Sequence, residues 1–224
     1  HAALEFLHLP HFLGRNEVES VPAGVGLSLR RPYFLFAGRL ERMKGVQVLL
    51  ERFSTYDAAE LVIAGDGAFS GELRRRAVGL PHVHFLGHVS NDELAAYYEL
   101  ADVFLCASEH EGFCVPLVES FHMGVPVLAY AAAAVPGTMD GAGILYHQKD
   151  PLRVAALIDM IATDRDLSAR IVAGQDEALD RLERKDFAGT LLRFVDQLRK
   201  TPTREHPPVA FDFWAQVTEA EEMD

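Results

Sequence analysis

The chain has 224 residues, of which 49% are hydrophobic and 24% are charged, the composition of an ordinary globular protein. Its formal net charge of −12 argues against a nucleic-acid-binding surface, which needs a basic face. No apolar run reaches about eighteen residues and no signal peptide is visible, so the sequence predicts a cytoplasmic protein without a transmembrane segment. The two cysteines, Cys106 and Cys114, fit a reducing compartment without a disulfide.

Short apolar runs alternate with helical patterns along most of the chain. The runs predict strands at 4–9, 33–37, 61–64, 83–86, 102–107, 127–130 and 143–146. Helices are predicted at 44–53, 72–80, 90–100, 116–124 and through 151–200, with loops at 14–29 and after residue 130. Because no hairpin signal separates the strands, the sequence predicts the α/β class. The expected architecture is a Rossmann-like, doubly wound parallel sheet with a helical C-terminal extension.

Composition divides the chain near residue 200. We expect residues 1–200 to form the sheet domain and residues 201–224 to form a linker and a helical tail. The aromatic residues of the tail, Phe211, Phe213 and Trp214, would dock onto the core or form a surface for a partner. Because the chain starts at His1 with a strand-like run, we also expect it to be a fragment of a longer protein.

The most informative stretch is Ser108 to Pro126, which reads SEHEGFCVPLVESFHMGVP. It places Glu111 in the loop after a predicted strand and Glu119 in the first turns of the next helix. The helix start leaves main-chain N–H groups unpaired between about Phe113 and Val115, and such groups bind ligand oxygens. The stretch therefore predicts a polyol or nucleotide site at the carboxyl end of the sheet.

A second turn supplies cations at the same edge of the predicted sheet. Gly38 and Arg39 follow one strand, and Lys44 precedes the next helix. Two cations in an acidic protein are suited to binding a diphosphate, although alone they would be ordinary solvated surface charges. Gly65 begins a Gly-Asp-Gly turn that brings main chain close to a ligand or is simply a tight turn.

Other site chemistries find little support in the sequence. It contains neither the G-x-G-x-x-G dinucleotide fingerprint nor a Walker A loop. His110, Glu111 and Cys114 resemble metal ligands only faintly, and His82 and His84 on one strand face have no third ligand. The sequence therefore predicts no metal site. A nucleophilic Cys114 would have only His110 as its base.

These motifs together resemble the group 4 retaining glycosyltransferases. Glu111-Gly112-Phe113-Cys114 followed by Glu119 is similar to that family's E-x-F-G-x4-E signature. The turns at 38–45 and 65–67 and the segments at 85–87 and 124–127 follow the family's order and spacing, over roughly residues 5 to 160. The resemblance implies one half of a GT-B architecture, namely the C-terminal, donor-binding domain.

The resemblance also implies roles for individual residues. Arg39 and Lys44 would bind the diphosphate of a nucleotide-sugar donor, Glu119 the ribose and Glu111 the donor sugar. The remaining donor contacts would come from main chain, at Gly38, Gly65, Val89 near the base, Phe113 and Cys114. No metal or other cofactor would be required, and the donor would be a UDP-, GDP- or ADP-sugar.

Two departures from the family's pattern leave other functions open. Cys114 stands where glycine is usual, and Gly137 stands after Pro136 where Glu is common. The alternatives are a nucleotide-sugar 2-epimerase-like enzyme and a non-catalytic nucleotide-binding module.

The family context predicts partners as well. A glycan or lipid-linked acceptor would be bound by an N-terminal domain that this chain lacks, so we expect weak donor binding and no transfer by the chain alone. The full-length protein would be cytoplasmic and would associate peripherally with the inner face of the membrane, in cell-envelope polysaccharide or glycolipid biosynthesis.

Overall fold

Six strands form a single sheet in the part of the chain that the structure describes. The structure is a computed structural model and describes residue 29 and residues 32–200, with a division into two compact units after residue 183. The strands are β1 (Tyr33–Ala37), β2 (Glu60–Ala64), β3 (Val83–Gly87), β4 (Val103–Cys106), β5 (Val127–Tyr130) and β6 (Ile144–Tyr146).

Helices follow the strands, preceded once by a 3₁₀ turn at Arg42–Lys44. They are α1 (Val46–Phe53), α2 (Ser70–Arg76), α3 (Asn91–Leu100), α4 (Val115–His122), α5 (Val135–Met139), α6 (Pro151–Thr163), α7 (Arg165–Glu183) and α8 (Phe187–Lys200). The predicted strand at 4–9, nearly all of the predicted loop at 14–29 and the segment 201–224 lie outside the described residues.

The strand order is β3-β2-β1-β4-β5-β6, and every pairing is parallel. This order confirms the predicted fold class, a Rossmann-like doubly wound sheet with a helical C-terminal extension. The order reverses between β1 and β4, which are hydrogen-bonded neighbours at the centre of the sheet. In such sheets a crevice opens at the carboxyl ends of the two strands where the order reverses.

Alternate residues of β1 belong to different faces of the sheet. Tyr33 and Leu35 pack into a core with α3, α4 and part of α7, whereas Phe34 and Phe36 pack into a core with α1 and α6. Because both faces are covered, β1, β2 and β4 are buried throughout, which explains their continuous apolar runs. The chain after β1 therefore leads to one face and the chain after β4 to the other.

Several predicted boundaries need correction. The segment after β5 was expected to be a loop, but it contains the short helix α5, whose five residues are too few to show a periodic pattern. The helix predicted from residue 44 begins at Val46, because Gly45 adopts a left-handed conformation after the 3₁₀ turn. The helical region 151–200 consists of three helices. A capping box of Ser90 and Glu93 is present at the start of α3, where the sequence predicts a helix from residue 90.

A buried glutamine connects α7 to the sheet. Gln175 accepts a hydrogen bond from the N–H of Val127 at 2.9 Å and donates one to the carbonyl of Val125 at 2.8 Å. All three residues are fully buried. We expect Gln175→Leu to lower the free energy of unfolding by about 2–4 kcal/mol, since two buried main-chain groups lose their partner.

Urea unfolding monitored by circular dichroism measures this loss. Gln148→Leu is the matched control, because Gln148 is exposed and bonds only to the Arg153 side chain among the described residues. A loss below about 1 kcal/mol for Gln175→Leu would show that the buried amide is dispensable.

The second compact unit contains α8. Within this unit, Asp186 accepts hydrogen bonds from the N–H of Gly189 and from the Arg193 guanidinium near the start of the helix. Several large apolar side chains of α8 are exposed, namely Phe187, Leu191, Leu192, Phe194 and Leu198.

Candidate functional site

A cavity of about 340 Å³ lies at the carboxyl ends of β1 and β4, where the strand order reverses. Its walls are the last residues of these strands, the loops that follow them and the first residues of α4. We call this cavity the crevice. Of the residues selected from the sequence, it brings together Gly38, Arg39, Lys44, Glu111, Phe113 and Cys114.

Lys44 and Glu111 form the charged centre of the crevice. The Nζ atom of Lys44 lies 2.7 Å from Oε1 of Glu111, and the two side chains are only 21% and 13% exposed. Partial burial makes this pair stronger than a surface ion pair, because solvent screens it less. Lys44 retains two further N–H donors that can bind an anion while the pair stays intact.

Gly45 determines how closely the two loops of the crevice approach each other. Its φ angle is 72°, and a Cβ atom placed there would lie 2.1 Å from the carbonyl oxygen of Ala107. The loops are also joined by a hydrogen bond of 2.8 Å from the N–H of Glu109 to the carbonyl of Met43. Only glycine therefore allows Lys44, on one loop, to reach Glu111 on the other.

Arg39 is held less firmly than Lys44. Its side chain is 75% exposed and lies 3.1 Å from Glu41, so this ion pair is a weak surface contact. The guanidinium can therefore leave Glu41 for an anion in the crevice at small energetic cost. Arg39 and Lys44 together provide two cations on the same side of the site.

The start of α4 presents unpaired donors to the crevice. The N–H groups of Phe113, Cys114 and Val115 make no hydrogen bond to any other described residue. They lie at the positive end of the helix, which attracts anionic or polar oxygens. The hydroxyl of Thr138 on α5 donates to the carbonyl of Phe113 and holds this segment from outside.

Glu119 lies on α4 but does not line the crevice. Its Oε2 atom accepts a hydrogen bond of 3.0 Å from the hydroxyl of Tyr98 on α3. Burial raises the pKa of Glu119 above its ordinary value of 4.5, and the bond from Tyr98 opposes this rise. Burial also raises the pKa of Tyr98, so its hydroxyl remains a donor at neutral pH.

Gly65 and Val89 also lie outside the residues that line the crevice. A Cβ atom on Gly65 would lie 1.9 Å from the carbonyl oxygen of Gly38, so this glycine allows the loops after β1 and β2 to touch. Val89 packs against the core on the face of the sheet that contains α3 and α4. Their predicted contacts with a ligand stay predictions.

Cys106 and Cys114 are free, buried and adjacent. Their Sγ atoms are 3.9 Å apart, which is compatible with a thiol–thiol hydrogen bond. The contact between the two thiols lowers the pKa of Cys106 and raises the pKa of Cys114, which burial raises further. The Cys114 backbone is left-handed, with φ of 67°, at the residue that precedes α4.

Sequence reasoning missed Tyr98, Thr138 and Cys106 as parts of the site. Each acts through a partner distant in sequence, so no local spacing indicates it. The prediction that Glu111 lies in the loop after a strand and Glu119 in the next helix is confirmed. No helix in the described residues is long and apolar enough to span a membrane.

The fold and the crevice together define a Rossmann-like domain whose polar site lies at the topological switch point. Comparison with known proteins identifies the family. Residues 19–177 match the family described as Glycosyl transferases group 1, and the chain belongs to this family of transferases. The predicted membership in a glycosyltransferase family is thereby confirmed.

The curated relatives of the chain include two that are at least 30% identical to it over most of its length. The chain is similar to D-inositol 3-phosphate glycosyltransferase of Corynebacterium kroppenstedtii, with 30% identity over 80% of the chain and 43% of the relative. It is also similar to phosphatidyl-myo-inositol mannosyltransferase of Mycobacterium leprae, with 32% identity over 85% of the chain and 53% of the relative. The chain thus spans about half the length of these relatives.

Solved structures agree with the predicted GT-B half. The C-terminal domain of the group 1 protein LpcC from Francisella tularensis is 25% identical, with a TM-score of 0.59 over 67% of this chain and 85% of that domain. HepE from Anabaena, solved with UDP and glucose, shares the fold with a TM-score of 0.61 and 21% identity, over 75% of this chain and 48% of HepE.

Proposed function

We propose that the chain is the donor-binding domain of a retaining glycosyltransferase that takes a sugar from a nucleotide diphosphate-sugar. The observation on which this rests is the crevice at the switch point. There the Lys44–Glu111 pair lies beside the unpaired N–H groups at the start of α4. Cations and N–H groups bind phosphate oxygens, and a carboxylate binds sugar hydroxyls. The UDP and glucose bound by the structural neighbour HepE support the same ligand class.

We assign a different part of the donor to each charged group in and beside the crevice. Lys44 and Arg39 bind the diphosphate, while the N–H groups of Phe113 and Cys114 bind phosphate or sugar oxygens. Glu111 accepts hydrogen bonds from the sugar and remains paired with Lys44. Glu119 accepts hydrogen bonds from the ribose, and the main chain at Gly38, Gly65 and Val89 completes the contacts with phosphate and base.

The chemistry follows from these charges. When the bond between the sugar and the diphosphate breaks, negative charge develops on the departing phosphate oxygen. Lys44 and Arg39 stabilise that charge, which lowers the barrier without a metal or a protein nucleophile. If the acceptor attacks the sugar from the same face from which the diphosphate departs, the configuration at the anomeric carbon is retained. Positioning of donor and acceptor then supplies the rest of the rate enhancement.

The acceptor is proposed from the relatives. The names of the two relatives specify an inositol phosphate and a phosphatidylinositol as the molecules glycosylated. We therefore assign a lipid-linked or polyol-phosphate acceptor, bound by a further domain at the cytoplasmic face of the membrane, in cell-envelope biosynthesis.

Calorimetric titration of the chain with UDP, GDP and ADP tests the proposal. We expect one of the three to bind with 1:1 stoichiometry and the corresponding nucleotide-sugar to compete with it. No transfer is expected from the chain alone. A folded sample that binds none of the three would favour a non-catalytic module, and a sugar isomerised at C2 without an acceptor would indicate an epimerase.

Glu119→Gln is expected to raise stability while it weakens nucleotide binding. Because the folded pKa of Glu119 is raised, the native state holds this proton more tightly than the unfolded state does. The contribution of Glu119 to stability is therefore greatest below the ordinary carboxyl pKa, and it is lost as pH rises through the pKa of Glu119 in the folded state. Glutamine does not ionise, so the free energy of unfolding of the variant should increase relative to that of the wild type as pH rises. It should bind the nucleotide about tenfold more weakly, having lost a charged acceptor.

Urea unfolding at about pH 4 and about pH 7.5 measures the stability difference, and calorimetry measures the affinity. Glu177→Gln is the matched control, since Glu177 is 78% exposed on α7. A stability difference that shrinks as pH rises would contradict the assigned direction of the pKa shift.

A further inference from the structure

Two thiols, which favour soft metal ions, and one carboxylate meet in the crevice. Among the described residues, Cys106, Glu111 and Cys114 are the group of potential ligands whose donor atoms all lie within 4.8 Å of one another. Cys106 ends β4, Cys114 precedes α4 and Glu111 lies on the loop between them. We propose that these three residues form a binding site for a thiophilic divalent ion such as Zn²⁺.

The sulfur geometry fits this ion. Two thiolates at about 2.3 Å from a tetrahedral zinc are about 3.8 Å apart. The Sγ atoms of Cys106 and Cys114 are 3.9 Å apart, so the ion requires almost no movement of either side chain. The left-handed backbone of Cys114 directs its side chain toward Cys106, although a residue with a Cβ atom adopts this conformation at a cost. The site is thus arranged before any ion arrives.

The charges also balance. Two thiolates and the Glu111 carboxylate contribute three negative charges, which the dication and the Lys44 ammonium together neutralise. Glu111 has two carboxylate oxygens, so one can stay 2.7 Å from Lys44 while the other coordinates the ion. A neutral cluster avoids the large penalty for net charge in a buried site.

Access and coordination number are consistent with a reversible site. All three ligands line the crevice, which provides the path for the ion from solvent. Three protein ligands leave a fourth tetrahedral position open toward the crevice, for water or another oxygen donor. Binding replaces the thiol–thiol hydrogen bond: each sulfur–metal bond forms as an S–H bond breaks, and about two protons pass to solvent for each ion. The site shares Glu111 and Cys114 with the proposed donor site, although the proposed transfer reaction itself uses no metal.

Titration of the intact 224-residue chain with Zn²⁺ tests the site, in a phosphine reductant and against a chromogenic chelator. We expect one ion per chain, a Kd of about 1 μM or tighter and release of about two protons per ion in weakly buffered solution. Co²⁺ in place of Zn²⁺ should give a thiolate-to-metal charge-transfer band and the strong visible absorption of a tetrahedral ion.

Cys106→Ser and Cys114→Ser should each weaken binding by at least about tenfold and lower the charge-transfer band at saturation to about half, and Glu111→Gln should weaken binding less. His110→Ala is the matched control, because His110 is an exposed potential ligand next to Glu111 and lies outside the cluster. It should bind Zn²⁺ as the wild type does.

Zinc should also protect both wild-type thiols from alkylation, a readout that does not depend on the serine variants folding. The proposal is overturned if the reduced wild type binds no ion, or if zinc leaves both thiols reactive. It is equally overturned if folded serine variants bind as tightly as the wild type, or if His110→Ala is the variant that loses binding.

Discussion

Gly45→Ala is expected to lower the free energy of unfolding by at least about 3 kcal/mol. The new Cβ atom would lie 2.1 Å from the carbonyl oxygen of Ala107, a main-chain atom that no side-chain rotation can remove. Alanine would also be held at a φ angle of 72°, which residues with a Cβ atom rarely adopt. The loops after β1 and β4 would have to separate, which would pull Lys44 away from Glu111.

Urea unfolding measures this effect. Nucleotide titration of the variant protein that remains folded measures how much affinity the site has lost. Gly71→Ala is the matched control, because Gly71 lies in α2 and its added Cβ would approach only the Arg75 side chain, at 3.7 Å. That change should be neutral or slightly stabilising, since alanine is the better helix former. A Gly45→Ala variant within about 1 kcal/mol of the wild type would show that the two loops are not rigidly joined.

The fold was predictable because both faces of the sheet are covered. Strands that are buried on both sides have continuous apolar sequences. The apolar sequences of β1, β2 and β4 are therefore easily recognised. Helix α5 was not predicted, because its sequence shows no comparable pattern. Its five residues carry no periodicity, and its place in the structure depends on contacts with the β4–α4 loop, such as the bond from Thr138 to Phe113.

The site was predictable only as far as it is local in sequence. Glu111 and Glu119 are eight residues apart on a strand–loop–helix unit, so their relative placement follows from the pattern. The contact of Lys44 with Glu111 spans 67 residues and depends on Gly45, whose role appears only when the two loops are seen together. The contact between Cys106 and Cys114 could not be predicted from the sequence for a different reason. The direction of the Cys114 side chain depends on a left-handed backbone that spacing alone does not specify.

Lys44→Met is expected to weaken binding of the nucleotide diphosphate by about 100-fold, which corresponds to the loss of a charge-assisted hydrogen bond of about 2–3 kcal/mol. The ammonium contributes directly through its free donors. It also neutralises Glu111, so its removal leaves a carboxylate that is only 13% exposed facing the phosphates. Calorimetric titration at several salt concentrations should show both weaker binding and a smaller dependence on salt.

Lys149→Met is the matched control, since Lys149 pairs with Glu109 at 2.6 Å and lies outside the crevice. It removes the same charge from the chain and should leave nucleotide affinity within about twofold. Glu111→Gln should instead strengthen binding of the nucleotide itself by a few-fold, because the carboxylate repels the diphosphate, while it weakens binding of the nucleotide-sugar. If Lys44→Met and Lys149→Met weaken binding equally, the effect is one of overall charge and the crevice is not the nucleotide site.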